Sequence, residues 1–210
     1  MTTTPTFGRP VDSAPSTVQA VPSLDSIRRR GYALTAGTLA WVATIFTVTP
    51  VAEGAAGRIG DVGGLAFQAG VFGLVTVMLA TGATGVSRGA RVMLRVELVL
   101  LGLASLWSLL HAVLPAGMQD AAWLVALDAF WPLSMIGMFV IGVKVAFAGR
   151  WRGALRWWPL VAESWAFVTL PAMAAFGEAG SMWVGGLHLV VGYATLGALM
   201  ALRPELTRAA

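Results

Sequence analysis

The sequence contains no cysteine, which excludes disulfides, cysteine-bound zinc, iron–sulfur clusters and thiol nucleophiles. Charge is nearly as scarce: 11% of the 210 residues are Asp, Glu, Lys or Arg, against about 25% in an ordinary soluble domain. A water-facing surface of normal size cannot be built from so few charges. The chain also lacks the phosphate-binding Gly-x-x-x-x-Gly-Lys-Ser/Thr loop, the His-Glu-x-x-His zinc motif, the Gly-x-Ser-x-Gly elbow and the dinucleotide fingerprint. The glycine-rich stretch from Gly57 to Gly64 has neither a lysine nor a following strand, and reads as a plain external turn.

What the chain has in excess is apolar side chains, 57% of the total. They fall in six runs: Gly31–Val51, Val62–Gly82, Val92–Leu114, Ala122–Ala148, Trp158–Phe176 and Trp183–Leu202. Each is close to the roughly 20 residues that cross a bilayer core as a helix. Glycine and β-branched residues inside the runs would weaken a soluble helix. In lipid the backbone must bond to itself, and small residues let helices approach. Six buried helices of this length would leave a soluble chain no surface for water. The expected fold class is all-α: a polytopic membrane protein built as a six-transmembrane-helix bundle over residues 28–203. Residues 1–27, rich in Thr, Ser and Pro, lack the apolar anchors to offset their ordering entropy and are expected to form a disordered tail. Ser23 or Asp25 can cap the stretch that leads into Arg28–Arg30. Residues 204–210 are expected to form a short second tail.

The net charge of +4 is not a nucleic-acid footprint, because the basic residues stand at the ends of apolar runs rather than along one face. No nucleic-acid partner is expected. With the N-terminus in the cytoplasm, thirteen of the fourteen Lys and Arg residues fall inside, and only Arg58 outside. The outer loops instead carry Glu53, Asp61, Asp120 and Glu178. The translocon retains Lys and Arg on the cytoplasmic face, so both termini are expected there, in a multi-pass protein of the plasma membrane surrounded by membrane lipids. Trp123, Trp157, Trp158 and Trp183 fall at interfaces, where an amphipathic ring is stable. A competing reading takes Arg28–Arg30, the first run and Ala52, Ala55 and Ala56 as a cleaved export signal. The run is long for a signal, and six spans return the basic C-terminus to the cytoplasm.

Ionisable and polar groups inside the runs are costly in lipid and are expected to face the bundle interior or water. Depth sorts them into two layers. Gln68, Ser108, His111, Asp128 and His188, with Thr47, lie toward the outside; at about 1.5 Å per residue they are within roughly 5–10 Å of the outer boundary. Arg95, Glu97, Lys144 and Glu163 lie toward the inside. On the third helix Glu97, Ala104, Ser108 and His111 share one face, so that stripe is expected to point inward and the helix to be central. Arg95 and Lys144 can snorkel and neutralise Glu97 or Glu163 as structural ion pairs; a cytoplasmic ion or proton path is the alternative. His111 and His188 are the only histidines. With Asp128 they can form a polar pocket, bind a transition metal, hold a haem or pass protons. The alternative is that each is a separately hydrogen-bonded side chain. No cofactor is expected beyond that metal or haem possibility. Pro132 should kink the fourth helix beside Asp128 and open space, and Pro171 should act similarly in the fifth.

The stretch Asp128-Ala-Phe-Trp-Pro-Leu-Ser134, continuing through Gly137, Met138 and Gly142 to Arg150 and Trp151, resembles a pattern in uncharacterised six-span membrane proteins of high-GC actinobacteria. The Ala-, Val- and Arg-rich composition, with Lys144 as the only lysine, agrees with such a source. The resemblance covers the fourth and fifth helices and implies no activity. The functional expectation is a protein that binds or transports a small molecule or lipid, or serves as an accessory subunit. It would act through an outward-facing polar pocket between helices two, three, four and six. The alternative is an intramembrane enzyme, metal-dependent or not, using His111, His188 and Asp128. It ranks second because a hydrolase normally adds a nucleophile or a third metal ligand, and neither is evident.

Overall fold

Ser23 starts the first helix: its Oγ accepts the Ser26 N–H at 3.2 Å, satisfying a donor that the helix itself cannot. The structure is a computed structural model that describes residues 22–48 and 54–209. In chain order it contains α1 (Leu24–Val48), α2 (Gly54–Thr81), α3 (Arg88–Val113), α4 (Ala116–Gln119), α5 (Ala122–Asp128), α6 (Phe130–Ala148), α7 (Ala154–Glu163) and α8 (Trp165–Leu189). A π-helical stretch Val190–Ala194, α9 (Thr195–Leu202) and a 3-10 turn Pro204–Thr207 complete it. The described residues contain no strand.

Five helical stretches are long and apolar enough to cross a membrane: α1, α2, α3, α5 with α6, and the 49 residues from Ala154 to Leu202. Their outward faces carry large apolar side chains, among them Val96, Val99 and Val113 of α3, Phe147, Phe176 and Leu202. Such a belt is a liability in water and suits hydrocarbon.

The 49-residue stretch does not run straight. Gly177 has φ 70° and ψ −167°, a backbone region open essentially to glycine alone. On either side of it the chain lies against itself. The Trp158 indole donates to the Val191 carbonyl at 3.0 Å, and the Trp165 indole donates to the Gly185 carbonyl at 3.0 Å. A Cβ on Gly192 would sit 2.8 Å from the Ala162 Cα. The stretch is therefore a hairpin bent at Gly177.

Helix boundaries depart from expectation in ways that have physical causes. α2 begins at Gly54 rather than Val62, so the Gly57–Gly64 segment is helix and not turn. Gly63 faces Thr44 of α1, at 2.7 Å from a would-be Cβ, and Gly64 faces the Trp41 indole nitrogen at 3.6 Å. These two glycines let α1 and α2 approach closely, as small residues do in membranes. α1 begins at Leu24 and Ile27 is fully buried, so residues 24–27 belong to the bundle; the rest of the expected tail, 1–21, lies outside the described residues. So does Val51, the expected end of the first run. The expected second tail is docked: Arg152 N–H donates to the Leu206 carbonyl at 2.9 Å, and Pro204 and Thr207 are buried. Pro132 lacks the N–H that would bond the Asp128 carbonyl. The fourth span breaks there, with α5 ending at Asp128 and α6 starting at Phe130. Pro171 is passed without a break; the fifth run is interrupted at Ser164 instead.

The buried face of α3 carries Leu94, Glu97, Leu101, Ala104 and Ser108, the stripe expected to point inward. α3 itself is not central. Only 22% of its apolar window is buried, against 56% for α2; α3 flanks the bundle beside α2 and α6. α1 and α9 meet backbone to backbone, since a Cβ on Gly31 would lie 2.6 Å from the Gly197 carbonyl oxygen. At this end Arg28 Nε donates to the Ala201 carbonyl at 3.1 Å, and the Trp151 indole donates to Thr81 Oγ1 at 3.0 Å. The start of α1, the α2–α3 turn, the α6–α7 turn and the 3-10 turn thus share one arginine-rich end.

Candidate functional site

At the end opposite the arginines, the helices leave a cavity of about 460 Å³, within the range of small-molecule sites. The first turns of α2, the last turn of α3 and both legs of the Gly177 hairpin form its walls. Asp61, His111, Ser108, Thr44 and Thr169 supply polar groups, while Trp107, Trp131, Trp165, Leu170 and Met173 supply apolar surface.

His111 is fixed on two sides. Its Nδ1 is 2.7 Å from Asp61 Oδ2, and its ring stacks on Trp107 with centroids 5.0 Å apart and planes at 18°. A carboxylate on one ring nitrogen sets the tautomer and leaves Nε2 as the second hydrogen-bonding position. Asp61 reaches His111 because the glycine-rich segment is helical and turns it toward α3.

The cavity floor is aromatic. Trp41 lies 5.7 Å from Trp131 and 6.3 Å from Trp165, centroid to centroid. Trp41 also stacks on Phe67 at 4.7 Å. Below these rings are two small cavities of about 30 Å³ each, each enough for about one water. Gln68 and Ser134 line one, Glu163 lines the other, and Tyr193 and Trp131 line both. Gln68 Nε2 donates to Ser108 Oγ at 3.0 Å, whereas Gln68 Oε1 is buried without a partner.

Two buried carboxyl groups flank α6 at the lower level. The Ser134 hydroxyl donates to Glu97 Oε1 at 2.5 Å, and the Tyr193 hydroxyl donates to Glu163 Oε2 at 2.5 Å. Glu163 Oε1 has no partner. Gly137 and Gly142 make room for them, Gly137 against the Glu97 carboxyl and Gly142 against the Glu163 Cγ. Five residues turn a helix by about 140°, so the two carboxyls grip different faces of α6.

The sequence-derived residues are only partly brought together. Gln68 and Ser108 are bonded, and Ser108 and His111 share the cavity. His188 bonds Ser164 Oγ through Nε2 at 3.1 Å and does not line the cavity. Asp128 is exposed at the end of α5, with no hydrogen bond or ion pair to either histidine. Among the described residues, no group of three His, Asp or Glu side chains is placed to hold a metal, so the His111–His188–Asp128 set is not assembled. The expected inner ion pairs are also not formed. Arg95 and Lys144 are exposed, and hydroxyl groups meet Glu97 and Glu163 in place of cations. Trp41, Trp165, Asp61 and Tyr193 escaped the sequence reading as site residues. A signal existed for three of them: two tryptophans away from either interface, and one of only two tyrosines in the chain within an apolar run. No protein-family model matches this chain, and comparison with curated proteins and with solved structures finds no match.

Proposed function

We propose that the chain is a six-span plasma-membrane protein with both termini in the cytoplasm, which takes a small amphiphilic molecule or lipid into the 460 Å³ cavity from the outer face, for binding or onward movement. The hairpin at Gly177 supports the span count, because it divides the 49-residue stretch into two antiparallel legs. The gathering of arginines at one end supports the orientation. The observation that carries the functional reading is the cavity itself. Its walls are mostly apolar, and the fixed His111–Asp61 pair offers one hydrogen-bonding site beside them. Such a site holds an apolar body and orients a polar head. Polar groups continue below the tryptophan floor, as movement toward the other side requires. The enzyme reading requires His111, His188 and Asp128 to converge, and no observation favours it.

The cysteine-free sequence allows a direct test. Ser181→Cys, on the outer cavity wall, is expected to react with a membrane-impermeant maleimide added to intact cells. Ser134→Cys, below the tryptophans, is expected to stay unlabelled until the protein is denatured. Labelling of Ser181→Cys only after the membrane is permeabilised would reverse the orientation and end the proposal.

A further inference from the structure

The arginine-rich end holds a second hollow, of about 490 Å³, unconnected with the tryptophan-floored cavity. Its wall combines the end of α2, the turn through Gly85 and Val86, Arg91 in the first turns of α3, Arg150 in the α6–α7 turn, and Arg208 after the 3-10 turn. Three guanidinium groups from three distant parts of the chain converge there, and no acidic residue lines the space. No single amphipathic segment accounts for that convergence.

Arg150 is the informative member. Its Nε is shut off from solvent and has no hydrogen-bond partner, which is costly for a charged donor. It is also held in place. The neighbouring Trp151 is fully buried, with its indole bonded to Thr81 Oγ1, so the backbone at Arg150 is pinned to the end of α2. Gly82, with φ 63°, lets that end pass close by; a Cβ there would lie 3.5 Å from Arg150 Nε. The N-terminal end of α3, 26 residues long, adds positive potential at the same rim. Leu79, Ala80 and Val86 provide an apolar side to the hollow.

We propose that this hollow binds a phosphate-type anion, whose oxygens the Arg150, Arg91 and Arg208 guanidinium groups would meet in charge-assisted bonds. Planar guanidinium forks match phosphate geometry. The same chemistry is offered by the phosphodiester of an anionic membrane lipid, whose glycerol end the apolar side suits, and by a free phosphorylated solute.

The test uses the full chain purified in detergent, with phosphatidylglycerol, phosphatidylcholine of identical acyl chains, and glycerol 3-phosphate as probes. Lipid retention is read by native mass spectrometry and glycerol 3-phosphate binding by thermal shift. Arg91 and Arg208 are exposed, so the Arg91→Gln/Arg208→Gln double variant keeps the fold. Arg88→Gln/Arg95→Gln removes the same charge from exposed positions that do not line the hollow. If the lipid is the ligand, wild type retains phosphatidylglycerol over phosphatidylcholine, and the hollow variant weakens that retention about tenfold or more while the control variant keeps it. If the solute is the ligand, the two lipids are retained equally, and glycerol 3-phosphate raises the melting temperature of wild type and the control but not of the hollow variant. Equal loss in both variants would reduce the effect to general charge attraction, and no response to either phosphate probe would remove the site; each overturns the proposal.

Discussion

Tyr193→Phe is expected to destabilise the protein by about 1–3 kcal/mol, the usual cost of stranding a buried polar group. Phenylalanine preserves the ring, which meets Phe67 edge-on at 4.9 Å, so the substitution removes only the hydroxyl. That hydroxyl is the donor to Glu163 Oε2, and Glu163 Oε1 already has no partner. Without Tyr193 the whole carboxyl group is left unbonded beside Gly142 and the floor of the site. Removing the carboxyl as well should undo most of the loss, because nothing then needs the donor. Glu163→Met, an unbranched replacement that adapts to the gap, is therefore expected to make Tyr193→Phe nearly silent. The four melting curves in detergent form a double-mutant cycle. Additivity within about 0.5 kcal/mol would show that the two groups do not support each other.

Gly177→Ala is expected to lower stability by about 1–3 kcal/mol through backbone strain alone. The added methyl meets nothing within 4 Å, so crowding plays no part; the cost arises because φ 70° with ψ −167° disfavours any residue bearing a Cβ. Gly102 makes the matching comparison. It too has open space around a would-be Cβ, but it sits inside α3 with helical geometry, where Gly→Ala is expected to be neutral or to gain up to about 1 kcal/mol. The same chemical change should thus move the melting temperature down at one position and not at the other. A Gly177→Ala protein that melts with Gly102→Ala would mean that the hairpin does not depend on this backbone geometry.

Most of the helical layout was legible because each run is an unbroken apolar segment of spanning length, and hydropathy needs no partner to be read. Boundaries failed where a residue has two meanings. Gly57, Gly60, Gly63 and Gly64 signal a turn by the rules of soluble chains, but all four are helical here, Gly63 and Gly64 against α1 and Gly57 and Gly60 on the cavity wall. That one error carried into the site, because an Asp61 placed in a loop cannot be seen as the partner of His111. Two local relations were legible from spacing: Gln68 and Ser108 are bonded, and the Glu97–Ser108 stripe faces inward. Azimuth between helices is set by packing and has no counterpart in linear spacing. His188 turns toward Ser164, Asp128 is exposed without a bond to either histidine, and Glu97 and Glu163 turn toward hydroxyls rather than toward Lys144 and Arg95. The Tyr193–Glu163 contact lies further out of reach, since it depends on the π-helical stretch from Val190 to Ala194, where an extra residue in the turn alters which side chains face α7.

The seam between α1 and α9 sets an order of events during synthesis. Arg28 bonds the Ala201 carbonyl across 173 positions, and Thr35 bonds the Ala194 carbonyl across 159. At translation rates of about 5–20 residues per second, these acceptors emerge roughly 10–30 s after their donors. For that interval the first helix has α2 beside it, while Gly31, Thr35 and Arg28 face an unfilled groove. The nascent chain therefore waits with an open side, which lipid or an insertion factor must cover until the last helix arrives and displaces it.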